Sequence, residues 1–266
     1  MNTPGPVEVP MTGGIANRGL VVRVNDTVRR PQRPTSPATQ ALLGHLAEVG
    51  FDGAPRFLGV DERDREVLTF VPGDAITPPY PPWALTDTAL RSVAELLGRY
   101  HEAVASFDPH PHDWPTRPPA PFSTGLVSHN DPNLDNVVFR DQRAVALIDF
   151  DLASPGSRLW DIAIAARLWS PLRSEADITD DRLGSSFRRF RVFADACGVS
   201  PGERDLLVDA VRQSHGWVYE IVRFGGENGS SPGYANYWNQ GGAARAERSE
   251  RWLTSHAAQL RRALQD

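Results

Sequence analysis

The feature that most constrains the fold is a proline-rich break at residues 72–82, across which the hydrophobic pattern changes. Before the break, residues 19–71 contain short apolar runs bounded by turn residues, which are typical of β-strands, and one helical pattern. After the break, apolar residues recur mostly at helical spacing. The sequence therefore predicts an α+β chain of two lobes. Residues 1–72 would form a small antiparallel sheet with one helix, and residues 73–266 would form a larger, mainly helical lobe.

Composition excludes several classes of function. The net charge of -5 and the pI near 5.8 provide no basic field for a nucleic acid. No apolar run is long enough for a membrane span, and the N-terminus lacks the pattern of a signal peptide. Cys197 is the single cysteine, so no intrachain disulfide can form. These observations predict a cytoplasmic protein with no membrane or nucleic-acid partner, and they leave its oligomeric state open.

The chain contains no lysine, so all 28 basic residues counted as lysine or arginine are arginines. A Walker A phosphate loop requires a Gly-Lys-Ser/Thr sequence and is therefore excluded. Any side-chain cation that binds phosphate in this protein must be an arginine.

The chemistry is indicated by a motif of the form H-x-D-x-x-x-x-N that spans His129, Asp131 and Asn136. A short predicted hairpin follows, and after it comes the sequence Ile148-Asp149-Phe150-Asp151. This spacing suits phosphoryl transfer, in which one carboxylate accepts the proton of the attacking hydroxyl while an amide oxygen and a second carboxylate hold a metal ion. Magnesium prefers such oxygen ligands and retains several waters, so one Asn and one Asp suffice.

These residues resemble the catalytic core of the aminoglycoside phosphotransferase and choline kinase family, relatives of the protein kinases. The resemblance extends through Gly156 and Trp160-Asp161-Ile162-Ala163 and covers residues 12–170. It is also present in the glycine-rich residues 13–17 and in Phe70-Val71-Pro72-Gly73. It implies a protein-kinase-like two-lobed fold and an enzyme that phosphorylates a hydroxyl group of a small molecule.

The resemblance also implies a role for each matching residue of the catalytic core. Asp131 would be the catalytic base or the carboxylate that orients the hydroxyl, and His129 would brace the catalytic loop. Asn136 and Asp149 would hold Mg²⁺. Asp161 would hold the backbone of the catalytic loop from below.

For the nucleotide, ATP or GTP, the resemblance implies a covering loop and a hinge. The backbone amides of the loop that contains Gly13, Gly14 and Asn17 would cover the phosphates. Thr69, Phe70 and Val71 would meet the adenine edge, within a hinge at about residues 69–73.

The family usually has a lysine on the third strand, where this chain has Thr27-Val28-Arg29-Arg30. Strand alternation places Val28 and Arg30 on one face and Arg29 on the other, so Arg30 is the predicted phosphate-binding cation. The family also has a glutamate in the following helix, which this chain lacks. Gln40 could take its place as a hydrogen-bond acceptor.

The acceptor molecule is suggested only by charge. Acidic residues are frequent in the predicted helical lobe: Asp135, Asp151, Glu175, Asp177, Asp180, Asp181, Glu220 and Glu227. If several of them line the mouth of a cleft, they would attract a cationic acceptor such as an amino sugar or amino alcohol, with Asp135, Glu220 and Glu227 as the contacts. The alternative is that most of them lie on solvated helix faces.

Two functions from different classes remain open. The first is a magnesium-dependent O-phosphotransferase that acts on a small hydroxylated molecule. The second is a catalytically weak or inactive nucleotide-binding protein of the immunity type, which the missing lysine and the missing helix glutamate favour. A protein kinase is disfavoured, because no Ala-Pro-Glu sequence bounds an activation segment after Asp149.

Overall fold

The computed structural model describes residues 7–11 and 19–265, and it begins with a five-stranded antiparallel sheet. Its strands are β1 (Val9–Pro10), β2 (Val22–Val24), β3 (Thr27–Pro31), β4 (Phe57–Val60) and β5 (Arg65–Thr69). They lie in the order β1-β2-β3-β5-β4. The turn between β2 and β3 contains Asn25 at φ 52°, a left-handed conformation that asparagine tolerates well. The sequence Asn25-Asp26 between two apolar runs predicts a hairpin turn, and that hairpin is present.

The helix of this lobe, α1 (Ser36–Glu48), buries Leu42, Leu43 and Leu46. Ser36 followed by Pro37 predicts a helix start with Ser36 as the N-cap. Ser36 is already the first helical residue and Thr35 is the N-cap, so this prediction was wrong by one position. The hydroxyl of Ser36 instead accepts a hydrogen bond from the backbone amide of Arg33 at 3.0 Å, which shapes the turn that enters the helix.

Beyond the proline-rich break lie two smaller sheets. In one of them β6 (Asp74–Ala75) pairs with β8 (Val137–Arg140), which pairs with β9 (Arg143–Leu147). In the other, β7 (Leu126–Ser128) pairs with β10 (Ser154–Gly156). The segments that follow β7 and β9 therefore lie next to each other.

The mainly apolar residues Val145–Phe150 predict the second strand of the hairpin, but that strand ends early, at Leu147. Asp149 has φ 61° and ψ 67°, and this left-handed residue cannot continue a strand. The change of direction separates Asp149 from the pleat of β9.

The rest of this lobe is helical. Its helices are α2 (Asp87–Val104), α3 (Arg158–Trp169), α4 (Ser186–Ala196), α5 (Arg204–Glu227), α6 (Pro232–Tyr237) and α7 (Ala243–Gln265). Helix α3 lies at the centre, where both Trp160 and Trp169 are fully buried. The sequence Ser200-Pro201-Gly202-Glu203 predicts a capping box, which is present just before α5. None of the helices in the described ranges has the length and apolarity that crossing a membrane requires.

The glycines among residues 225–233 predict a break in the helical pattern from Gly225, but the break begins later, because α5 continues through Gly225 and Gly226 to Glu227. A Cβ atom at Gly225 would lie 2.8 Å from the ring of Tyr234, and one at Gly226 would lie 3.0 Å from the backbone of Ala235. These glycines allow α6 to pack closely on α5, which is why they occur within a helix.

Candidate active site

The catalytic loop between β7 and β8 is anchored by Asp161, which is fully buried in the first turn of α3. The backbone amides of His129 and Asn130 donate to its two carboxylate oxygens at 3.0 and 2.9 Å. His101 Nε2 lies 3.0 Å from Asp161 Oδ2. Burial alone would raise the pKa of Asp161, but the hydrogen bond from His101 and the one from the backbone amide of His129 help to hold it below its usual value. Asp161 is therefore an ionised anchor for the loop.

Asn130 contributes a second anchor, which the sequence did not reveal. This residue has φ 66°, and its Nδ2 donates to Leu152 O at 2.9 Å and to Ser154 Oγ at 2.8 Å. It thereby connects the catalytic loop with the segment that follows Asp149.

His129 is completely buried against the ring of Phe150, with 4.5 Å between the ring centroids. Burial lowers the pKa of His129 to about 4, so the imidazole is neutral near pH 7. Its Nδ1 accepts from the backbone amide of Asp131 at 3.3 Å, which assigns the ring proton to Nε2, 3.1 Å from Ile148 O. Both ring nitrogens are thus used to hold backbone, which is the geometry of a bracing residue.

Asp131 is positioned by two asparagine side chains. Asn133 Nδ2 donates to one carboxylate oxygen at 3.0 Å, and Asn136 Nδ2 donates to the other at 2.9 Å and to Asp131 O at 3.0 Å. Burial raises the pKa of Asp131 well above its usual range, and the charges of Asp149 and Asp135 raise it further. Such a carboxyl group is more basic than an exposed one, which suits a proton acceptor.

Asp149 completes this cluster from the end of β9. Its Oδ1 is buried and has no hydrogen-bond partner among the described residues, although Arg30 Nη1 lies 3.6 Å away. Burial raises the pKa of Asp149, the neighbouring Asp151 adds to the rise, and Arg30 and Arg33 oppose it. A buried carboxylate oxygen without a donor fits a divalent cation, and the Oδ1 of Asn136 is the second oxygen available nearby.

Arg30 connects the sheet to this cluster. It is only 7% exposed, and its Nε donates to Glu66 Oε2 at 2.6 Å while its Nη1 donates to Asp151 Oδ1 at 2.6 Å. Arg29 points to the opposite face, where its Nε lies 4.0 Å from Asp61. Asp151, whose role the sequence left open, also forms an ion pair with Arg33 at 3.0 Å.

The expected role of Gln40 as the acceptor for Arg30 was wrong. Gln40 Nε2 donates to Glu66 Oε1 at 3.0 Å, and Glu66 is the residue that accepts from Arg30. Glu66 was not predicted, because the acidic partner of the cation was expected in the helix. In the register of β3 and β5, Glu66 lies directly opposite Arg30, and this pairing is what would have identified it.

A cavity of about 340 Å³ lies between the two lobes. Its apolar wall includes Val28, Leu68 and Ile148, and Thr69, Phe70 and Val71 line it as well. Its polar end is formed by side chains of the cluster described above: Arg30, Asp135, Asn136 and Asp149. The predicted phosphate-covering residues Gly13, Gly14 and Asn17 lie outside the described residues.

The acidic residues expected to attract a cationic acceptor do not form one site. Asp177 pairs with Arg248 and Asp180 pairs with Arg182, as Asp151 does with Arg30. Of the three proposed contacts, only Asp135 lies at the cluster, since Glu220 and Glu227 are exposed on α5 and do not line the cavity. Intrachain pairing removes Asp151, Asp177 and Asp180 from the charge argument for a cationic acceptor, while the contacts expected at Glu220 and Glu227 stay predictions.

The fold is that of kinase-like phosphotransferases. A family model described as "Phosphotransferase enzyme family" matches residues 112–193, the segment that contains Asp131, Asn136, Asp149 and Asp161. The chain belongs to this phosphotransferase family. It is 30% identical to the trifolitoxin immunity protein of Rhizobium leguminosarum bv. trifolii, over 97% of this chain and 98% of that protein.

Solved structures share the fold at low sequence identity. A choline/ethanolamine kinase family protein from Mesorhizobium loti is similar with a TM-score of 0.62 and 14% identity, over 97% of this chain and 93% of that one. An aminoglycoside phosphotransferase in complex with GDP and kanamycin is similar with a TM-score of 0.54 and 13% identity, over 98% and 94%. The predicted two-lobed, kinase-like fold is thereby confirmed.

Proposed function

We propose that this protein transfers the γ-phosphate of ATP or GTP to a hydroxyl group of a small molecule, with Mg²⁺ as cofactor. The observation that carries the proposal is the cluster of Asp131, Asn136 and Asp149 at the polar end of a cavity between the lobes. Phosphoryl transfer depends mainly on positioning and charge, and each of these residues has a place in it. The resemblance of the structure to phosphotransferases that bind GDP supports a purine nucleotide as the donor.

In this reaction the acceptor hydroxyl lies against Asp131. Its oxygen forms a bond to the γ-phosphorus while the bond from that phosphorus to the β–γ bridging oxygen breaks, and the nucleoside diphosphate leaves. The hydroxyl proton passes to the Asp131 carboxylate, which Asn133 and Asn136 hold in place. The raised pKa of Asp131 favours this proton transfer.

Asn136 and Asp149 would hold the Mg²⁺ ion, which when bound neutralises phosphate charge. In the described residues no cluster of three or more His, Cys, Asp or Glu side chains forms a metal centre by itself. Nucleotide phosphates and water would complete the coordination. Arg30 would keep Asp149 and Asp151 in place and would face the phosphates from the sheet side.

The decisive experiment measures release of nucleoside diphosphate from Mg²⁺-ATP and Mg²⁺-GTP in the presence of a library of hydroxylated small molecules. The wild-type chain should transfer phosphate to at least one of them, and removal of Mg²⁺ with EDTA should stop the reaction. Nucleotide binding with no transfer and no hydrolysis under any condition would reject the proposal.

The second candidate is a nucleotide-binding, immunity-type protein with little or no catalysis. The similarity to the trifolitoxin immunity protein over nearly the full length of both chains supports it. The engagement of Arg30 Nε and Nη1 by protein carboxylates supports it as well, because less of the guanidinium is available to phosphate. The assay above separates the candidates, since this one requires binding without loss of the γ-phosphate.

A further inference from the structure

Two arginines near the catalytic loop lack the hydrogen bonds and ion pairs that several other arginines of the helical lobe have. Arg167 lies in the last turn of α3, and Arg173 lies shortly after it. The Nε atom of each is inaccessible to solvent and has no hydrogen-bond partner among the described residues, and no ion pair of either guanidinium occurs there. By contrast, Arg182 is held by Asp180, and Arg189 donates to the carbonyl oxygens of Trp169 and Leu85.

This pair lies on the Asp131 side of the site. Trp169 Nε1 donates to Pro132 O at 2.8 Å, which fixes the last turn of α3 against the residue that follows Asp131. The electrostatic neighbours of the Arg167 guanidinium are Tyr219, Arg173, Asp131 and Tyr237.

The aromatic residues of α5 and α6 complete the surroundings. The hydroxyls of Tyr219 and Tyr237 lie 3.5 Å apart, and the Tyr219 ring packs on His215 at 4.7 Å between centroids. Neither Arg167 nor Arg173 lines the cavity bounded by residues 69–71. Arg167 and the tyrosine hydroxyls therefore lie near Asp131 but outside that cavity.

Two buried guanidinium groups close to each other lower the stability of the folded protein when no anion is bound. Burial lowers the pKa of both arginines, and the charge of Arg173 lowers that of Arg167 further. Arginine remains charged in proteins and presents a planar set of donors that matches carboxylate and phosphate oxygens. A negatively charged ligand beside these guanidinium groups would offset the repulsion between the two cations.

We infer that Arg167 and Arg173 bind an anionic group of the acceptor, so that the substrate is a small alcohol that also bears a carboxylate or a phosphate ester. This inference rests on the proposed phosphotransferase function and names the acceptor class for that same site. The anion binds between the two arginines, the tyrosine hydroxyls donate to its remaining oxygens, and the alcohol reaches Asp131. The arrangement disfavours amino sugars and amino alcohols, whose ammonium groups would face two arginines.

The test compares acceptors that share a carbon skeleton and differ in charge. Gluconate, glucose 6-phosphate, glucose and glucosamine form one set, and glycerate, glycerol 3-phosphate, glycerol and 3-amino-1,2-propanediol form another. Binding is measured by calorimetry with Mg²⁺ and a non-hydrolysable ATP analogue, so that no turnover is needed. Transfer from Mg²⁺-ATP is measured in parallel.

We expect the anionic members to bind at least about tenfold more tightly than their neutral counterparts, and the cationic members to bind most weakly. Arg167→Gln and Arg173→Gln should each reduce that preference about tenfold or more and leave the KM for ATP unchanged. Arg212→Gln is the matched control, because Arg212 lies on α5 beside Asp209 and Glu250, away from the site. The relative binding of carboxylates and phosphate esters identifies which anion is preferred.

Three outcomes would overturn the inference. One is the absence of any preference for the anionic members, and failure of all members to bind measurably counts as this outcome. Another is a preference that persists in both arginine variants. The third is a raised KM for ATP in those variants, which would mean that the arginines bind nucleotide phosphates. Anion binding through both arginines without any phosphate transfer would instead reject the proposed reaction and leave the anion site standing.

Discussion

Arg30 on β3 and Glu66 on β5 lie directly opposite each other and form a 2.6 Å ion pair between Nε and Oε2. In the family this chain resembles, a lysine on the strand and a glutamate on the helix are expected at this point. Here the cation is an arginine and the acid lies on the neighbouring strand. Gln40 on α1 donates to Glu66, so the helix still contacts the pair. Gln40, Glu66 and Arg30 thus connect α1, the sheet and the cleft.

Removal of Arg30 should weaken ATP binding far more than removal of Arg29. Arg30 lines the cavity, whereas Arg29 lies on the opposite face near Asp61. Arg30→Ala should also lower the free energy of unfolding by about 3 kcal/mol, because Glu66 then stays buried without its cation. Nucleotide titration and urea unfolding measure the two effects. In the double variant Arg30→Gln with Glu66→Gln the buried charge of Glu66 is removed as well, and Asp151 keeps its ion pair with Arg33, so much of the stability should return while ATP binding stays weak. An equal or larger loss of ATP affinity in Arg29→Ala would contradict the assignment.

How much of this site the sequence could predict depends on how local each relationship is. His129, Asp131, Asn136 and Asp149 were identified because their spacing lies within one loop and one hairpin. Glu66 was missed because its relation to Arg30 exists only in the pairing register of two strands, which the sequence does not specify.

The acceptor side was the least predictable part of the site. Arg167 acquires its position from the packing of α3 on the catalytic loop through Trp169 and Pro132, a contact between residues distant in sequence. The number of acidic residues suggested a cationic ligand, but ion pairs formed in the fold remove Asp177 and Asp180 from consideration. The fold class was predictable, because the change from strand-like to helical patterns spans long segments.

Asp131→Asn should reduce phosphate transfer by about a hundredfold or more and leave nucleotide binding nearly unchanged. The amide preserves the shape of the side chain but cannot accept the hydroxyl proton. Transfer to a confirmed acceptor and binding of a fluorescent ATP analogue are the two measurements. Asp141→Asn serves as the control, since Asp141 lies in the exposed turn between β8 and β9. Wild-type turnover in Asp131→Asn would remove this residue from the role of base.

Asn136→Ala and Asp149→Ala should each abolish the increase in Tm that Mg²⁺ adds to the nucleotide-bound protein. Binding stabilises a folded protein in proportion to its affinity, and these residues are the proposed direct ligands. The comparison is between Tm with nucleotide alone and Tm with nucleotide and Mg²⁺. Asn228→Ala, at the end of α5, should keep the full increase. If both site variants retain it as well, the metal is bound elsewhere.

Acidification should destabilise the protein partly through His215. Burial lowers the pKa of His215 to about 4, whereas an unfolded histidine titrates near 6.5. Between these values the unfolded chain binds a proton that the folded chain does not, so stability falls as the pH decreases from 6.5 towards 4. One such group accounts for about 2 kcal/mol between pH 6.5 and 5. In urea unfolding, His215→Gln should lose about that much less free energy of unfolding between pH 6.5 and 5 than the wild type does. His110→Gln, at an exposed position, should lose as much as the wild type.

The last prediction concerns stability without any ligand. Arg167→Met should raise the free energy of unfolding by about 1 kcal/mol, because methionine fills similar space and removes a buried charge that has no ion-pair partner in the described part of the chain. Arg182→Met should do the opposite and cost about 3 kcal/mol, since Arg182 is 1% exposed and its loss leaves Asp180 without its cation. Urea unfolding of the two variants measures both changes under the same conditions. Equal destabilisation by the two substitutions would mean that Arg167 is held by the fold as firmly as Arg182. The expected difference in sign would instead identify Arg167 as a residue kept for a ligand at the expense of stability.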